Sequence, residues 1–209
     1  MVPYIIVAIL AYALGSINFS VIFSRKFAGF DIREKGSGNA GTTNMLREVG
    51  KKAAALTLLC DVLKGVVAIL IALLIGVIVP DVNKSLLVQI AAILVVIGHT
   101  FPIFFEFRGG KGIATSLGIL LLVNWKIGLI CLIFALVIMA ITRTVSIGSI
   151  IAAVLFPILT IFTGYENYIV EGNYFIFSLL LAAFVIFNHR ENVKRLLEGK
   201  ENKLNIDDK

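Results

Sequence analysis

Long uncharged apolar runs alternate along this chain with short polar clusters, and the runs are about as long as a bilayer is thick. Read by length and periodicity, they predict membrane spans over 3–24, 53–79, 86–105, 113–123, 127–142, 145–163 and 173–187. The expected fold class is therefore all-α: a polytopic integral membrane protein with about seven transmembrane helices. The segment 113–123 is short for a full crossing, and Asn124-Trp125-Lys126 interrupts the apolar run only briefly. A tight hairpin at Trp125, whose indole suits an interface, separates the two halves in this reading.

Charge gives the orientation. Of the nineteen Lys and Arg residues, seven follow the first span, two the third, one the fifth and six the seventh, placing sixteen on one side. Lys84 and Lys126 fall on the other side, and Lys64 lies within the second span. The positive-inside rule then puts the N-terminus outside and the C-terminus in the cytoplasm. Merging 113–142 into one helix would leave six spans and strand the basic tail outside.

The chain is 59% apolar and 15% charged, with no polar stretch long enough for a separate soluble domain, so residues 1–209 are expected to form one domain. The first apolar run lacks a positive leader and reads as a span, not a cleaved signal peptide. Cys60 and Cys131 lie in apolar segments without pairing or metal-ligand spacing and read as packing residues. The orientation signal and anionic headgroups account for the net charge of +6, and no nucleic-acid partner is expected. The sequence assigns no oligomeric state.

Three polar clusters remain, all expected on the cytoplasmic face. The first, Gly36 to Asn44, spells G-S-G-N-A-G-T-T-N. It contains G-x-G-x-x-G, but a charged loop precedes it where a dinucleotide fold needs a buried strand. What survives is anion chemistry. Glycines let successive N–H groups turn toward one anion, and Ser37, Asn39, Thr42, Thr43 and Asn44 add side-chain donors. An early start of the second span near Thr42 or Thr43 would bring a positive dipole end.

The second cluster, Gly109-Gly110-Lys111-Gly112 with Thr115 one turn later, aims an ammonium and backbone donors from a helix start. The third places His189, Asn192 and Arg195 close to one helical face, suited to handling phosphate. Asp61 and Lys64, at i, i+3, can pair within the second span, and His99 sits near the cytoplasmic half of the third. All three are expected to brace the site. The competing class is a transporter of an organic phosphate, which would carry inverted repeats and midplane breaks; neither is evident.

The clusters G-S-G-N-A-G-T-T-N, G-H-T-F-P…F-R-G-G-K-G-I-A-T and H-R-E-N-V-K-R-L-L-E-G-K-E-N-K, in this order between these spans, resemble the signature motifs of the bacterial acyl-phosphate-dependent glycerol-3-phosphate acyltransferases, the PlsY family. The resemblance covers essentially the whole chain, with Val193 standing where isoleucine is expected. It implies acyl transfer from acyl phosphate to the sn-1 hydroxyl of glycerol 3-phosphate at the cytoplasmic face of a bacterial inner membrane, in phospholipid synthesis. It implies no metal or cofactor.

On that reaction Lys111, Ser37 and His189 are the expected catalytic residues. Gly36, Gly38, Asn39, Thr42, Thr43, Asn44, Gly109, Gly110, Gly112, Thr115, Asn192 and Arg195 form the expected phosphate-binding set. Lys111 would stabilise the leaving phosphate and the acyl oxyanion, while Asn192 and Arg195 clamp glycerol 3-phosphate. The base is either His189 or the substrate's own phosphate. The His-x4-Asp pattern of the other acyltransferase superfamily is missing, since Phe104 and Lys194 stand five residues after His99 and His189.

Overall fold

A computed structural model describes residues 1–162 and 174–204, and all regular structure in them is helical. The helices are α1 (Val2–Gly15), α2 (Phe19–Ala28), α3 (Thr42–Glu48), α4 (Lys51–Ile78), α5 (Lys84–Thr100), α6 (Ile113–Val123), α7 (Trp125–Thr142), α8 (Val145–Phe162), α9 (Tyr174–Asn188) and α10 (Arg190–Leu197). Short 3-10 turns cover Ile32–Glu34 and Ile103–Phe105. The predicted span limits at 163 and 173, and Lys209 of the tail, lie outside the described residues.

Five apolar segments are long enough to cross a membrane, and six if α9 and α10, bent by 57°, count as one broken span. The eleven residues of α6 rise only about 16 Å, roughly half a hydrocarbon core. The chain falls into two compact units, Met1–Leu122 and Val123–Lys209.

In the first unit the predicted span over 3–24 is not continuous. It stops at Gly15 and restarts at Phe19. Asn18 caps α2 by accepting from the Val21 N–H at 3.2 Å and the Ser20 hydroxyl at 2.7 Å. The carbonyls released at the break are taken by Lys64, whose ammonium donates to Gly15 at 3.0 Å and Ile17 at 2.9 Å. Helix α3 is a second departure: Thr42 begins a separate seven-residue helix, not an early start of the second span, which begins at Lys51.

Packing follows membrane rules, with small residues inside and large apolar side chains outside. The buried face of α5 is Val88, Ala91, Ala92, Val95 and Val96, whereas Ile9, Leu59, Leu70 and Leu74 point outward. Helices α4 and α6 approach so closely that a methyl on Gly118 would overlap the Val62 carbonyl. Val21, Ile32, Ala40, Met45, Ala53 and Ala54 form an apolar cluster that seats the first polar loop.

In the second unit α8 packs between α7 and α9. Gly148 comes within 2.6 Å of the Ala135 carbonyl, measured from where a methyl would sit. Phe156, Tyr174 and Phe177 form an aromatic cluster with centroids 6.0–6.4 Å apart.

A Gly118→Ala exchange forces its methyl against backbone that cannot swing away. It is expected to cost about 1–3 kcal/mol of stability, read as a lowered unfolding midpoint in detergent. A wild-type midpoint would show that α4 and α6 relax apart at no cost.

Candidate active site

The first polar loop is held from within. Asp31 caps the 3-10 turn through the Arg33 N–H at 3.0 Å, and the Arg33 guanidinium grips the same carboxylate at 2.8–3.2 Å. Arg25 adds a third partner at 2.8 Å. The bonds from Arg33 hold the Asp31 carboxyl well below the usual carboxylate range, against the opposing effect of burial. Arg33 also donates to the Phe105 carbonyl at 2.7 Å, tying this loop to the segment leading into G-G-K-G.

Asn44 was expected to bind phosphate, and the structure assigns its amide to the loop. Its Nδ2 donates to the Ile32 and Lys35 carbonyls at 3.1 and 3.0 Å, and its Oδ1 accepts from the Ser37 N–H at 3.1 Å. The expected nest of successive backbone donors is also revised. The Ser37 N–H goes to Asn44, Gly38 donates to the Lys35 carbonyl at 3.0 Å, and Gly41 donates to the Asn39 carbonyl at 3.0 Å. Gly36 and Gly38 serve the turn, with φ of +56° and +70°. Ser37 is exposed, Asn39 and Thr43 are half-buried, and the buried Thr42 hydroxyl has no partner within the described residues.

The second loop is seated on the end of α5. Gly109 donates to the Thr100 carbonyl at 3.0 Å and Gly110 to the His99 carbonyl at 3.1 Å. Both approaches leave no room for a side chain: a methyl on Gly110 would overlap the His99 ring and come within 2.8 Å of the Ala40 carbonyl. That last contact brings the first and second clusters together. Lys111 follows, half-buried, and Gly112 turns the chain into α6 at φ +89°.

Thr115, expected as a phosphate ligand, has no exposed surface. Its carbonyl lies where a side chain on Gly65 would stand, because α6 crosses α4 there. Beneath the loop, Asp61 meets Lys64 at 2.9 Å, and His99 Nδ1 lies 3.5 Å from the same Asp61 oxygen.

The third cluster, in the second unit, centres on a residue the sequence analysis gave no role. Glu201 accepts from Asn192 at 2.6 Å, from Arg195 Nε at 2.8 Å and from the Ser146 hydroxyl at 2.9 Å. Burial raises its carboxyl pKa, but these three donors outweigh burial and leave it below the ordinary value. Both expected substrate clamps, Asn192 and Arg195, are thus oriented by one carboxylate. His189 is buried at the start of α10, with Nδ1 2.8 Å from the Val185 carbonyl. Besides Glu201, sequence reasoning missed Asp31 and Ser146; the D-I-R spacing was a local signal for the first, and the others had none.

Apolar helices of membrane length, with polar glycine-rich loops at their ends, define a multi-pass membrane protein built to handle a polar ligand at a bilayer edge. The family model for glycerol-3-phosphate acyltransferase matches residues 5–199, and the chain belongs to that family. It is an acyltransferase of phospholipid biosynthesis.

The glycerol-3-phosphate acyltransferase of Clostridioides difficile (strain 630) is 47% identical over 205 residues, covering 96% of this chain and 95% of that protein. The one from Thermoanaerobacter sp. (strain X514) is 46% identical, again covering 96% and 95%. Among solved structures, PlsY, an integral membrane glycerol 3-phosphate acyltransferase in its glycerol 3-phosphate form, superposes with a TM-score of 0.85 at 36% identity. That match covers 97% of this chain and 96% of PlsY.

Replacing Glu201 by Gln removes the charge that Asn192 and Arg195 share, with an expected loss of about 1.5–3 kcal/mol per charged bond weakened. Because the folded carboxyl pKa is depressed, the native contribution is complete above the ordinary carboxylate value of about 4.3 and fades as pH falls below it. Thermal unfolding of wild type should therefore weaken with acid in that range, and the variant should show a flatter profile there. Parallel profiles would remove Glu201 as the source.

Proposed function

We propose that this chain transfers a fatty acyl group from acyl phosphate to the sn-1 hydroxyl of glycerol 3-phosphate, as one acyltransferase over residues 1–209. The hydroxyl oxygen bonds to the acyl carbonyl carbon, and the bond from that carbon to the phosphate oxygen breaks. The products are 1-acylglycerol 3-phosphate and inorganic phosphate. The cytoplasmic face of a bacterial inner membrane is the proposed location, following the distribution of basic residues.

The observation that carries this reading is the contact of the first two clusters at Gly110 and Ala40, which groups Lys111 with the loop of Ser37, Asn39 and Thr43. A cation and neutral donors in one place suit two phosphate-bearing substrates. Acyl phosphate is an activated mixed anhydride, so positioning and charge stabilisation suffice for catalysis. Lys111 stabilises the departing phosphate and the oxyanion that forms on the acyl carbonyl. Ser37, Asn39 and Thr43 bind phosphate with their side chains, while Asn44 holds the loop in shape. Asn192 and Arg195, held by Glu201, receive the phosphate of glycerol 3-phosphate.

For the proton, His189 has the appropriate tautomer. A carbonyl only accepts, so its bond with Val185 fixes the proton on Nδ1 and leaves the lone pair of the neutral ring on Nε2. The substrate's own phosphate is the other base available.

Purified protein given palmitoyl phosphate should release inorganic phosphate only when glycerol 3-phosphate is present, and Lys111→Ala should abolish nearly all of it. Folded wild-type protein that releases none would defeat the reading. His189→Ala is expected to lower kcat by about 10²–10⁴-fold and to remove one limb of the pH–rate profile. An unchanged profile with substantial turnover would assign the proton to the substrate phosphate.

A further inference from the structure

The G-G-K-G loop rests on a buried residue that the proposed reaction does not use. His99 meets the loop twice. Its carbonyl accepts the Gly110 N–H at 3.1 Å, and its ring fills the space where a Gly110 side chain would stand. The ring is 5% exposed and has little freedom to drop away, because its other edge faces Asp61 at 3.5 Å. Asp61 is in turn fixed by Lys64 at 2.9 Å, whose remaining donors are anchored on the carbonyls of Gly15 and Ile17. The result is a continuous stack from the break between α1 and α2, across α4, through the imidazole, to the residue preceding Lys111.

We infer that His99 is a positioning residue for acyl transfer: its imidazole sets the height of the loop and so the place of the Lys111 ammonium. The inference rests on the role given to Lys111 above. A brace that only stabilised the helices would need the contacts to Asp61 but not the one to Gly110. The absence of any side chain at Gly110 matches a ring that must lie flush against the loop backbone. A displacement of about 1 Å in a catalytic group is enough to lower turnover on the order of 10²-fold.

The test separates the two edges of the ring. His99→Asn keeps an amide where Nδ1 faced Asp61 and removes the ring atoms that touched Gly110, leaving the backbone bond from the Gly110 N–H to the residue 99 carbonyl in place. Expected are an unfolding temperature close to wild type, a kcat about 10²-fold lower, and faster hydrogen–deuterium exchange in residues 106–113 while residues 84–98 stay protected. Wild-type kcat, or loop exchange unchanged from wild type, would overturn the inference. Should His99→Asn fail to fold, Gly110→Ala lifts the same loop from its other side, and the same two measurements decide. Wild-type protein without turnover on acyl phosphate would instead defeat the proposed reaction, and the exchange measurement would still report whether His99 seats the loop.

Discussion

A backbone carbonyl released from a helix inside a bilayer has no water to accept from, so a span that breaks must supply a donor from elsewhere in the protein. The break between Gly15 and Phe19 meets that constraint with one ammonium. Lys64 reaches from α4 to two released carbonyls and uses its remaining capacity on Asp61, so that a cation and an anion, each 2% exposed, neutralise one another. Burying such a pair is costly unless every donor and acceptor is used. Here the ammonium donates to two carbonyls and its charge lies 2.9 Å from the Asp61 carboxylate. Because that geometry is fixed, so is the level at which α4 meets α1, and with it the position of Asp61 beneath His99. The polar loops above α5 inherit their place from this buried pair.

The longer spans were legible in the sequence because the demand for apolar length is strong and local, whereas the count of seven was not, since five or six of the described segments are long enough to cross. A run predicted over 53–79 forms Lys51–Ile78, and one predicted over 127–142 forms Trp125–Thr142. The break in the first span was not legible. Gly15-Ser16-Ile17-Asn18 interrupts hydrophobicity too little to register, and its stability depends on Lys64, nearly fifty residues away. Helix α3 was hidden for a related reason: a seven-residue helix has no periodicity to read, and Met45 is buried only because Val21 and Ile32 are brought to it.

In the candidate site, residue types were legible and their partners were not. The sequence shows that Asn44 carries an amide but not whether that amide faces a ligand or the backbone of its own loop; three hydrogen bonds answer for the loop. The burial of Thr115 was not legible, because its spacing from Lys111 says nothing of the crossing of α6 with α4. Glu201 looked like one more surface charge in a basic tail. Its significance comes from Ser146, brought close by the fold of the second unit and invisible in any local window.

Glycine-rich loops are often read as soft, and these are not. Their glycines mark places where backbone lies directly on backbone or on a ring, as Gly109 and Gly110 do on the end of α5. The N–H groups of Ser37, Gly38 and Gly41 bond within the loop, so what faces outward is a small set of side-chain donors on a frame already shaped by internal hydrogen bonds. A frame of that kind costs little ordering entropy when a charged ligand arrives. That suits a reaction whose substrate is already activated. For the proposed acyl phosphate donor, with its leaving group built in, the remaining barrier is one of alignment and developing charge, which a preshaped loop of donors is suited to lower.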